Sequence, residues 1–277
     1  MSRSRKRDDA GFGRVVEFVA DSVDFEPDYY NDDYLGRRVT ARMRRRDADS
    51  YDAYLRELRS DSEEQAALLD ALTVNVTSFF RNVEMWEALR PVLRELTSEH
   101  RRVRVWNAPC ADGREPYSLS MLAHDDPDIN ERRLRITATD IDGAALDAAR
   151  EGVYETTRTT DIGEELSPLS DPEQYVERDG DSFRVRDGIK RPISFERHDL
   201  IRDEAKSGFH LVFCRNLLIY IDTEYKRPVY DTVTGALEPG GYFVVGMTES
   251  LPRDLRGGFE TVDKRRRIYR RREAGEE

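Results

Sequence analysis

The stretch VRVWNAPCADGREPYS, residues 103–118, decides the fold of this chain. Its β-branched residues predict a strand that runs to Trp106, after which small and polar residues break the pattern. A helix is predicted next, with Pro116 in its first turn, where the missing amide hydrogen of proline costs nothing. A strand, a tight loop and a helix N-terminus in this order are typical of α/β folds that bind nucleotide-like cofactors.

The loop in this stretch also limits the kind of ligand. It holds a single glycine, Gly113, so it is not the glycine-rich dinucleotide fingerprint, and it lacks the lysine of a phosphate-binding loop. Glu115 instead offers a carboxylate, which suits a cofactor amine or hydroxyl groups. The sequence therefore predicts a nucleotide-like cofactor that is not recognised through a pyrophosphate.

Composition narrows the class of protein. The 277 residues carry a formal net charge of −11 and include only two cysteines, Cys110 and Cys214, so we predict neither a disulfide framework nor a metal site. No run of about 18 apolar residues predicts a membrane span. The first residues, MSRSRKRDDAGFGR, lack the apolar centre of a secretory signal. We expect a cytoplasmic protein.

The charged residues are unevenly chosen, with 40 Arg against 5 Lys, and 30 Asp with 26 Glu. An acidic surface of this kind suits a salt-rich cytoplasm, which favours a halophilic archaeon as the source. The alternative is an ordinary acidic protein from a GC-rich genome, which also favours Arg over Lys.

The chain shows two sequence patterns. Apolar residues at helical spacing come first, and alternating predicted strands and helices follow. The predicted regions are a disordered leader (1–11), an all-helical domain (12–71), a linker or lid (72–83), an α/β domain (84–272) and a tail (273–277). A small β-subdomain is predicted as an insertion at about 156–191, with a hairpin in which Phe183, Val185 and Ile189 alternate. The alternative for the insertion is a plain surface excursion.

The α/β domain is predicted to contain parallel strands joined by right-handed crossovers. The predicted strands are 103–107, 134–139, 193–197, 211–214, 242–246 and 267–271, and the predicted helices are 84–96, 116–123, 144–151 and 223–237. The last two strands leave no room for a helix between them, so the final strand is expected to be antiparallel.

Acidic residues follow two of these strands. Asp140 is expected to face the ligand crevice and to accept hydrogen bonds from two ribose hydroxyls, while Asp142 is expected to cap the next helix. After the next strand, the Asp199 side chain and a backbone amide are expected to contact the edge of an adenine ring, and Leu200 its face. At both places the alternative is a simple turn at the end of a strand.

Three further motifs add candidate residues. In LVFCRNLLIY (211–220), Arg215 and Asn216 follow a strand and are placed to touch a ligand, although an arginine there is often a solvated charge. LEPGGYFVVG (237–246) predicts a helix, a tight turn and a strand. LTVNVTSFFRN (72–82) offers polar side chains at Asn75, Thr77 and Arg81 beside two phenylalanines, which indicates an active-site lid or, alternatively, a structural hinge.

Taken together, LTVNVTSFFR, NAPCADGREPYS, ATDID, RHDL, FCRNLLIY and LEPGGYF resemble the chemotaxis receptor methyltransferases of the CheR type, in their order and spacing, over residues 12–272. The resemblance implies a class I S-adenosylmethionine-dependent methyltransferase sheet of the Rossmann-like kind. It also implies a helical N-terminal receptor-docking domain and an inserted β-subdomain, which in some members holds a receptor's C-terminal peptide.

By this resemblance, the protein transfers the methyl group of S-adenosylmethionine to glutamate side chains of a chemoreceptor and leaves S-adenosylhomocysteine. The implied reacting-centre residues are Arg81 and Tyr220. The implied cofactor contacts are Asn75, Thr77, Arg81, Glu115, Asp140, Asp199, Leu200, Arg215 and Asn216. Ala111, Asp112 and Arg114 depart from the usual loop of the family, while Gly113 and Glu115 match it.

The implied docking element is a basic helix that faces the receptor. It contains Arg37, Arg38, Arg42, Arg44, Arg45 and Arg46. The alternative is a solvated charged face; no nucleic acid partner is expected, because aromatic residues are not interleaved with these arginines. A monomer is expected. Two other functions stay open at this point: a related methyltransferase acting on RNA or a small molecule, and a catalytically silent cofactor-binding module.

Overall fold

The computed structural model describes residues 10–22, 27–72 and 77–273. The chain divides into two compact units. The helical unit comprises Met1–Asn75 and Leu218–Lys226, and the α/β unit comprises Val76–Leu217 and Arg227–Glu277. The predicted combination of an all-helical N-terminal region and an α/β sheet is confirmed.

Helices of the helical unit bury one apolar face each. They are α1 (Ala10–Ser22), α2 (Asp32–Arg45), α3 (Tyr51–Leu58) and α4 (Ser62–Leu72), with a 3₁₀ turn at Pro27–Tyr29. Phe12, Val15 and Val19 recur at helical spacing and lie in the core. Asn31 caps α2 by accepting the Tyr34 amide hydrogen at 2.8 Å.

A buried carboxylate lies inside the helical unit. Glu64 is only 2% exposed, and its two oxygens accept hydrogen bonds from Arg42 at 3.0 and 2.5 Å and from the Tyr54 hydroxyl at 2.5 Å. Burial disfavours the charged carboxylate, but the bonds from Arg42 and Tyr54 outweigh it and lower the pKa of Glu64. We call Glu64, Arg42 and Tyr54 the helical-unit cluster.

The segment Leu218–Lys226 completes the helical unit although it follows a strand of the sheet in sequence. Ile221 forms an antiparallel bridge with Tyr30, and the Asp222 amide donates to the Tyr29 carbonyl at 2.8 Å. Backbone bonds therefore attach this distant segment to the turn before α2.

The α/β unit is built on a seven-stranded sheet of order β6-β2-β1-β7-β8-β10-β9. The strands of the chain are β1 (Val103–Asn107), β2 (Leu134–Asp140), β3 (Val153–Glu155), β4 (Val176–Asp179), β5 (Ser182–Val185), β6 (Ile193–Arg197), β7 (Phe209–Cys214), β8 (Leu237–Val245), β9 (Phe259–Asp263) and β10 (Ile268–Arg271). The helices from α5 onward are α5 (Val83–Glu99), α6 (Arg114–Asp125), α7 (Gly143–Glu151), α8 (Ile162–Glu165), α9 (Asp187–Lys190) and α10 (Thr223–Gly235).

Parallel pairing joins β6, β2, β1, β7 and β8, and β10 is antiparallel to both of its neighbours. The antiparallel final strand was therefore correctly predicted. The edge strand β9 was missed, because only Phe259 among its residues is buried and the rest give no apolar alternation.

The inserted sheet is small and antiparallel, with the order β3-β5-β4. Phe183 and Val185 are buried on β5 as predicted, but the placement of Ile189 in the hairpin was wrong. Ile189 lies on the short helix α9, which begins after Arg186, and the Ile189 side chain is buried there. The small sheet also takes in Val153–Glu155, before the predicted start of the insertion at residue 156.

Two region boundaries need correction. Residues 10 and 11, assigned to the leader, are the first residues of α1, which also carries the fully buried Phe12. The assigned linker loses Leu72, the last residue of α4, and Val83, the first of α5. Residues 1–9 and 274–277 of the predicted leader and tail lie outside the described residues.

Within the described part of the chain, none of the helices combines the length and the apolar character that crossing a lipid bilayer requires.

Candidate functional site

The carboxyl edge of the parallel strands gathers most of the candidate side chains. Asn107 and Asp140 end β1 and β2, His198 follows β6, Arg215 follows β7 and Gly246 follows β8. Because parallel strands bring their carboxyl ends to one edge, residues far apart in sequence meet there. This is the edge at which the sequence placed a cofactor.

Glu115 is the centre of the site. It lies in the first turn of α6, where a carboxylate is favoured by the helix dipole. One of its oxygens accepts a hydrogen bond from the Asn107 amide at 2.7 Å, and the other accepts one from Arg215. Arg215 also donates to the Asn82 side chain at 2.9 Å and to the Arg81 carbonyl at 3.1 Å. We call Asn82, Asn107, Glu115 and Arg215 the sheet-edge cluster.

Two atoms of the sheet-edge cluster lack partners within the described residues, namely Asn107 Oδ1 and Arg215 Nε. Asn107 is 1% exposed and Arg215 is 4% exposed, so bulk water does not supply the missing hydrogen bonds. Buried polar groups are rarely left unpaired without a reason. One unpaired acceptor and one unpaired donor beside a carboxylate match an amino-acid zwitterion, which presents both an ammonium and a carboxylate.

Asp140 is buried at the end of β2 and shapes the loop that follows β1. Its two oxygens accept the amide hydrogens of Ala111 at 2.7 Å and Asp142 at 3.0 Å. Burial raises the pKa of Asp140 to about 6, although these amide bonds act against the rise. A carboxylate so placed suits ribose hydroxyls, and Asp142 caps α7 as predicted.

The segment before α5 contacts the sheet-edge cluster through its backbone. Phe80 and Asn82 have positive φ values of 47° and 64°, and the Arg81 carbonyl between them accepts from Arg215. The Phe80 amide donates to the buried Ser118 hydroxyl at 2.9 Å. Left-handed backbone at two non-glycine residues marks a conformation that the surroundings impose.

Glu249 fixes the loops that follow β7 and β8. Its carboxylate accepts the amide hydrogens of Asn216 at 2.8 Å and Gly246 at 2.7 Å, and Asn216 has a φ of 60°. A Cβ added at Gly246 would lie 2.4 Å from Glu249 Oε2 and 2.9 Å from the Asn216 nitrogen. Only glycine therefore fits this close approach of the two loops.

Asp199 caps the turn after β6. Its side chain accepts the amide hydrogens of Ile201 at 2.8 Å and Arg202 at 3.2 Å, and its own amide donates to Asp203 at 2.8 Å. Leu200 is buried beside it. The strand-end turn, left open as the alternative for Asp199, is thus present, and the predicted contact with an adenine stays a prediction.

The remaining predicted residues are placed less directly. The Thr77 carbonyl accepts from Arg114 at 3.1 Å, and Asn75 lies outside the described residues. Tyr220 belongs to the helical unit, where its ring lies 4.8 Å from that of Tyr34 and its carbonyl accepts the Asn31 amide hydrogen.

Both cysteines, Cys110 and Cys214, are buried in the α/β unit. Burial raises the pKa of both the Cys110 and the Cys214 thiol, which keeps them protonated at neutral pH. No cluster of three or more potential metal ligands occurs among the described residues.

Sequence reasoning missed three residues of this site: Asn82, Asn107 and Glu249. Asn107 carried a signal, because it ends the strand that precedes the cofactor loop. Asn82 carried none, since its partner Arg215 lies 133 residues away in sequence, and the bond that Glu249 makes to Asn216 spans 33 residues.

Comparison with known proteins gave consistent matches. The family model "CheR methyltransferase, all-alpha domain" matches residues 10–73, and "CheR methyltransferase, SAM binding domain" matches residues 75–268. A chemotaxis protein methyltransferase of Listeria monocytogenes is 32% identical over 236 residues, 84% of this chain and 87% of the relative. Chemotaxis protein methyltransferase 1 of Pseudomonas aeruginosa is 36% identical over 192 residues, 66% of this chain and 69% of the relative. A glycopeptide N-methyltransferase solved with sinefungin aligns with 62% of this chain and 57% of its own at 17% identity and a TM-score of 0.36.

Proposed function

This chain belongs to the CheR methyltransferase family, and from that premise we propose that it methylates glutamate side chains in the cytoplasmic helices of chemoreceptors. It is an S-adenosylmethionine-dependent methyltransferase of chemotaxis. Glutamate methyl esters made in this way serve sensory adaptation. The observation that carries the proposal is the sheet-edge cluster, in which Asn107 Oδ1 and Arg215 Nε are buried and unpaired beside the half-buried Glu115 carboxylate.

The residues present fit S-adenosylmethionine. Glu115, Arg215 and Asn107 suit its amino-acid end, and Asp140 suits its ribose hydroxyls. The other residues assigned to cofactor contact are Asn75, Thr77, Arg81, Asp199, Leu200 and Asn216. The bound cofactor supplies a methyl group on a positively charged sulfur, so that a bond from carbon to the acceptor oxygen forms as the carbon–sulfur bond breaks.

The acceptor needs little chemical help from the protein. A glutamate carboxylate has a reference pKa of about 4.3 and is already ionised at neutral pH, so no general base is required. The enzyme's contribution is alignment, which can lower a barrier by about 7 kcal/mol or more when reactants are well oriented. In our proposal Arg81 orients the carboxylate through paired hydrogen bonds, and Tyr220 donates a hydrogen bond to the acceptor or walls the sulfonium.

Docking to the receptor is assigned to α2, but with fewer arginines than its sequence offers. Arg42 is bound to Glu64, and Arg46 is bound to Glu57 and Asp61. Both are therefore occupied within the helical unit. The docking residues that we propose are Arg37, Arg38, Arg44 and Arg45.

We further propose that the enzyme acts as a monomer in the cytoplasm, where the substrate helices lie. Long-range attraction between these arginines and acidic receptor helices raises the encounter rate at low salt and is screened at high salt.

The test is incubation of the protein with radiolabelled S-adenosylmethionine and receptor membranes. Base-labile label on the receptor supports the proposal; label in added RNA, or cofactor binding without transfer, contradicts it. Arg81→Ala and Asp140→Ala should each cut the transfer rate sharply. The control Arg132→Ala changes an exposed arginine before β2, at the opposite edge of the sheet, and should keep the wild-type rate.

A further inference from the structure

A strongly basic segment near the end of the chain has no part in the site described so far. Residues 264–272 read KRRRIYRRR, with seven basic residues in nine, in a chain whose formal net charge is −11. In the structure this segment forms the turn between β9 and β10 and then β10 itself. On an otherwise acidic protein, a local cluster of positive charge attracts an acidic partner that the rest of the surface repels.

The turn lies at the same edge of the sheet as the cofactor site. Strand β10 runs antiparallel to β8 with Ile268 opposite Val244, so the start of β10 lies beside the carboxyl end of β8. The Val245 amide donates to the Arg267 carbonyl at 3.2 Å, and Arg267 Nε donates to the Met247 carbonyl at 3.3 Å. Met247 directly follows Gly246, which lies at the edge of the sheet where the candidate cofactor site is found.

Several arginines of the segment are used to hold the fold. Arg270 donates to the Gly240 carbonyl at 3.1 Å, and Arg271 donates to the Leu237 carbonyl. Arg266 bridges Asp263 at 3.5 Å and Glu84 at 3.1 Å.

Lys264 and Arg265, at the tip of the turn, are different. Their side chains are exposed, and neither forms an ion pair with any residue that the structure describes. At the tip of the turn these two charges are left for a partner; Arg272, at the other end of the segment, is exposed as well.

Two exposed valines flank this tip. Val83 and Val262 are each 46% exposed. Val262 is the extra residue of a β-bulge, because Asp263 lies opposite Ile268 while Thr261 lies opposite Tyr269. Such a bulge turns a side chain away from its strand pair.

The Glu84–Arg266–Asp263 bridge joins the places where these valines lie, since Val83 precedes Glu84 and Val262 precedes Asp263. We call Val83, Val262, Lys264 and Arg265 the rim surface. It begins one residue beyond Asn82, whose side chain bonds to Arg215 in the pocket.

We propose that the rim surface binds the glutamate-bearing segment of the methylation substrate as its target side chain enters the pocket. Lys264 and Arg265 attract acidic side chains beside the target, and Val83 and Val262 pack against apolar ones. This inference rests on the proposed function. It assigns a second contact to the substrate, carried by the α/β unit itself, in addition to α2.

The test compares two variants that each carry a double charge reversal. The rim variant combines Lys264→Glu and Arg265→Glu, and the control variant combines Arg101→Glu and Arg102→Glu. The control pair is equally exposed and directly precedes β1, at the opposite edge of the sheet. Methyl transfer to a purified cytoplasmic fragment of a chemoreceptor is measured over a range of salt concentrations, from the lowest at which the wild type stays folded.

The rim variant should raise KM about tenfold, keep kcat and the cofactor Kd within about twofold, and weaken the dependence of KM on salt. The control variant should behave as the wild type. Val262→Ser should raise KM by about threefold, because it removes apolar contact without changing charge. An unchanged KM in the rim variant, or an equal rise in both double variants, would overturn the proposal.

Failure of this inference can be told from failure of the proposed function. If the wild type places no base-labile methyl on the receptor fragment, the proposed function fails and this inference falls with it. If the wild type methylates the fragment and the rim variant does so with the same KM, only this inference fails. It is likewise overturned if the rim variant loses binding to an oligo-uridine RNA probe while its KM for the receptor is unchanged.

Discussion

The helical-unit cluster and the sheet-edge cluster are built from the same kinds of side chain and differ in how completely these are paired. Each holds a glutamate, buried at Glu64 and half-buried at Glu115, against an arginine and a neutral hydrogen-bonding side chain. Both oxygens of Glu64 are paired, as are the groups that face them. Around Glu115 the described residues leave Asn107 Oδ1 and Arg215 Nε unpaired. The comparison indicates that an ion pair by itself does not mark a binding site, and that the unpaired atoms beside Glu115 are what set the sheet-edge cluster apart from the helical-unit cluster.

The largest expected effect is a loss of stability when the buried glutamate of the helical-unit cluster is removed. Glu64→Ala leaves Arg42 and Tyr54 without their buried acceptor and should lower the free energy of unfolding of the helical unit by about 3 kcal/mol. The Kd for S-adenosylhomocysteine should stay within about twofold of the wild type. Denaturant unfolding and calorimetry measure the two quantities, and a large loss of cofactor affinity would break the comparison.

The matched change in the other cluster should act on binding. Glu115→Gln keeps the shape of the side chain and its bond to Asn107 but removes the charge that faces Arg215. Since hydrogen bonds to charged groups are worth about 1.5–3 kcal/mol, the Kd for S-adenosylmethionine should rise by about 10- to 100-fold. An unchanged Kd in a folded variant would show that the unpaired atoms nearby do not mark the cofactor site.

A smaller effect is expected where the loops of the site touch. Gly246→Ala places a methyl group against Glu249 and Asn216, and overpacking of this kind costs about 1–3 kcal/mol. Cofactor affinity should fall about tenfold by calorimetry, since 1.4 kcal/mol corresponds to that factor. The control Gly257→Ala adds its methyl group where no atom lies within 4 Å and should leave the affinity unchanged.

Glu64 of the helical-unit cluster and Asp140, at the same sheet edge as the other cluster, predict opposite responses to acid. The pKa of Glu64 is lowered, so its stabilising contribution is present above the unfolded pKa and is lost as the pH falls through the lower folded value. The pKa of Asp140 is raised to about 6, so the folded state keeps its proton more tightly and acid does not cost stability there.

Cofactor binding should therefore respond to the protonation of Asp140 between pH 7 and pH 5. Ribose hydroxyls need the charged carboxylate, so cofactor affinity should fall as the pH drops below about 6. Calorimetry across this range measures the effect, and Asp140→Asn should bind weakly without the pH dependence. A wild-type affinity that stays constant to pH 5 would contradict the assigned role.

The smallest effect concerns exposed charge rather than either cluster. If the acidic surface is an adaptation to salt, the melting temperature should rise between dilute buffer and molar KCl, because salt screens the self-repulsion of a chain with net charge −11. Glu64→Ala should show the same rise, since its bonds are buried. A melting temperature that does not increase would remove the salt-adaptation hypothesis.

The sequence predicted what local pattern controls. The strand, loop and helix of residues 103–118 were predicted because their signals follow one another within a few residues, and Glu115 was found on the same basis. Contacts over long sequence distances were not predictable. Arg42 was expected on a docking surface, but in the structure it bonds to Glu64, which lies 22 residues away. The sequence pattern of α2 does not predict that bond. The bond between Asn216 and Glu249, 33 residues apart, escaped notice for the same reason.

Glu165 gives the small inserted sheet a part in the architecture of the pocket. It lies on α8, within the insertion, yet its carboxylate accepts the Phe79 amide hydrogen at 2.8 Å and lies 3.6 Å from Arg114. Excising residues 156–191 would thus remove an anchor of the segment that leads to Arg81. A chimera designed to exchange insertions between relatives must keep this carboxylate, or its loss of activity will be mistaken for loss of whatever the exchanged module recognises.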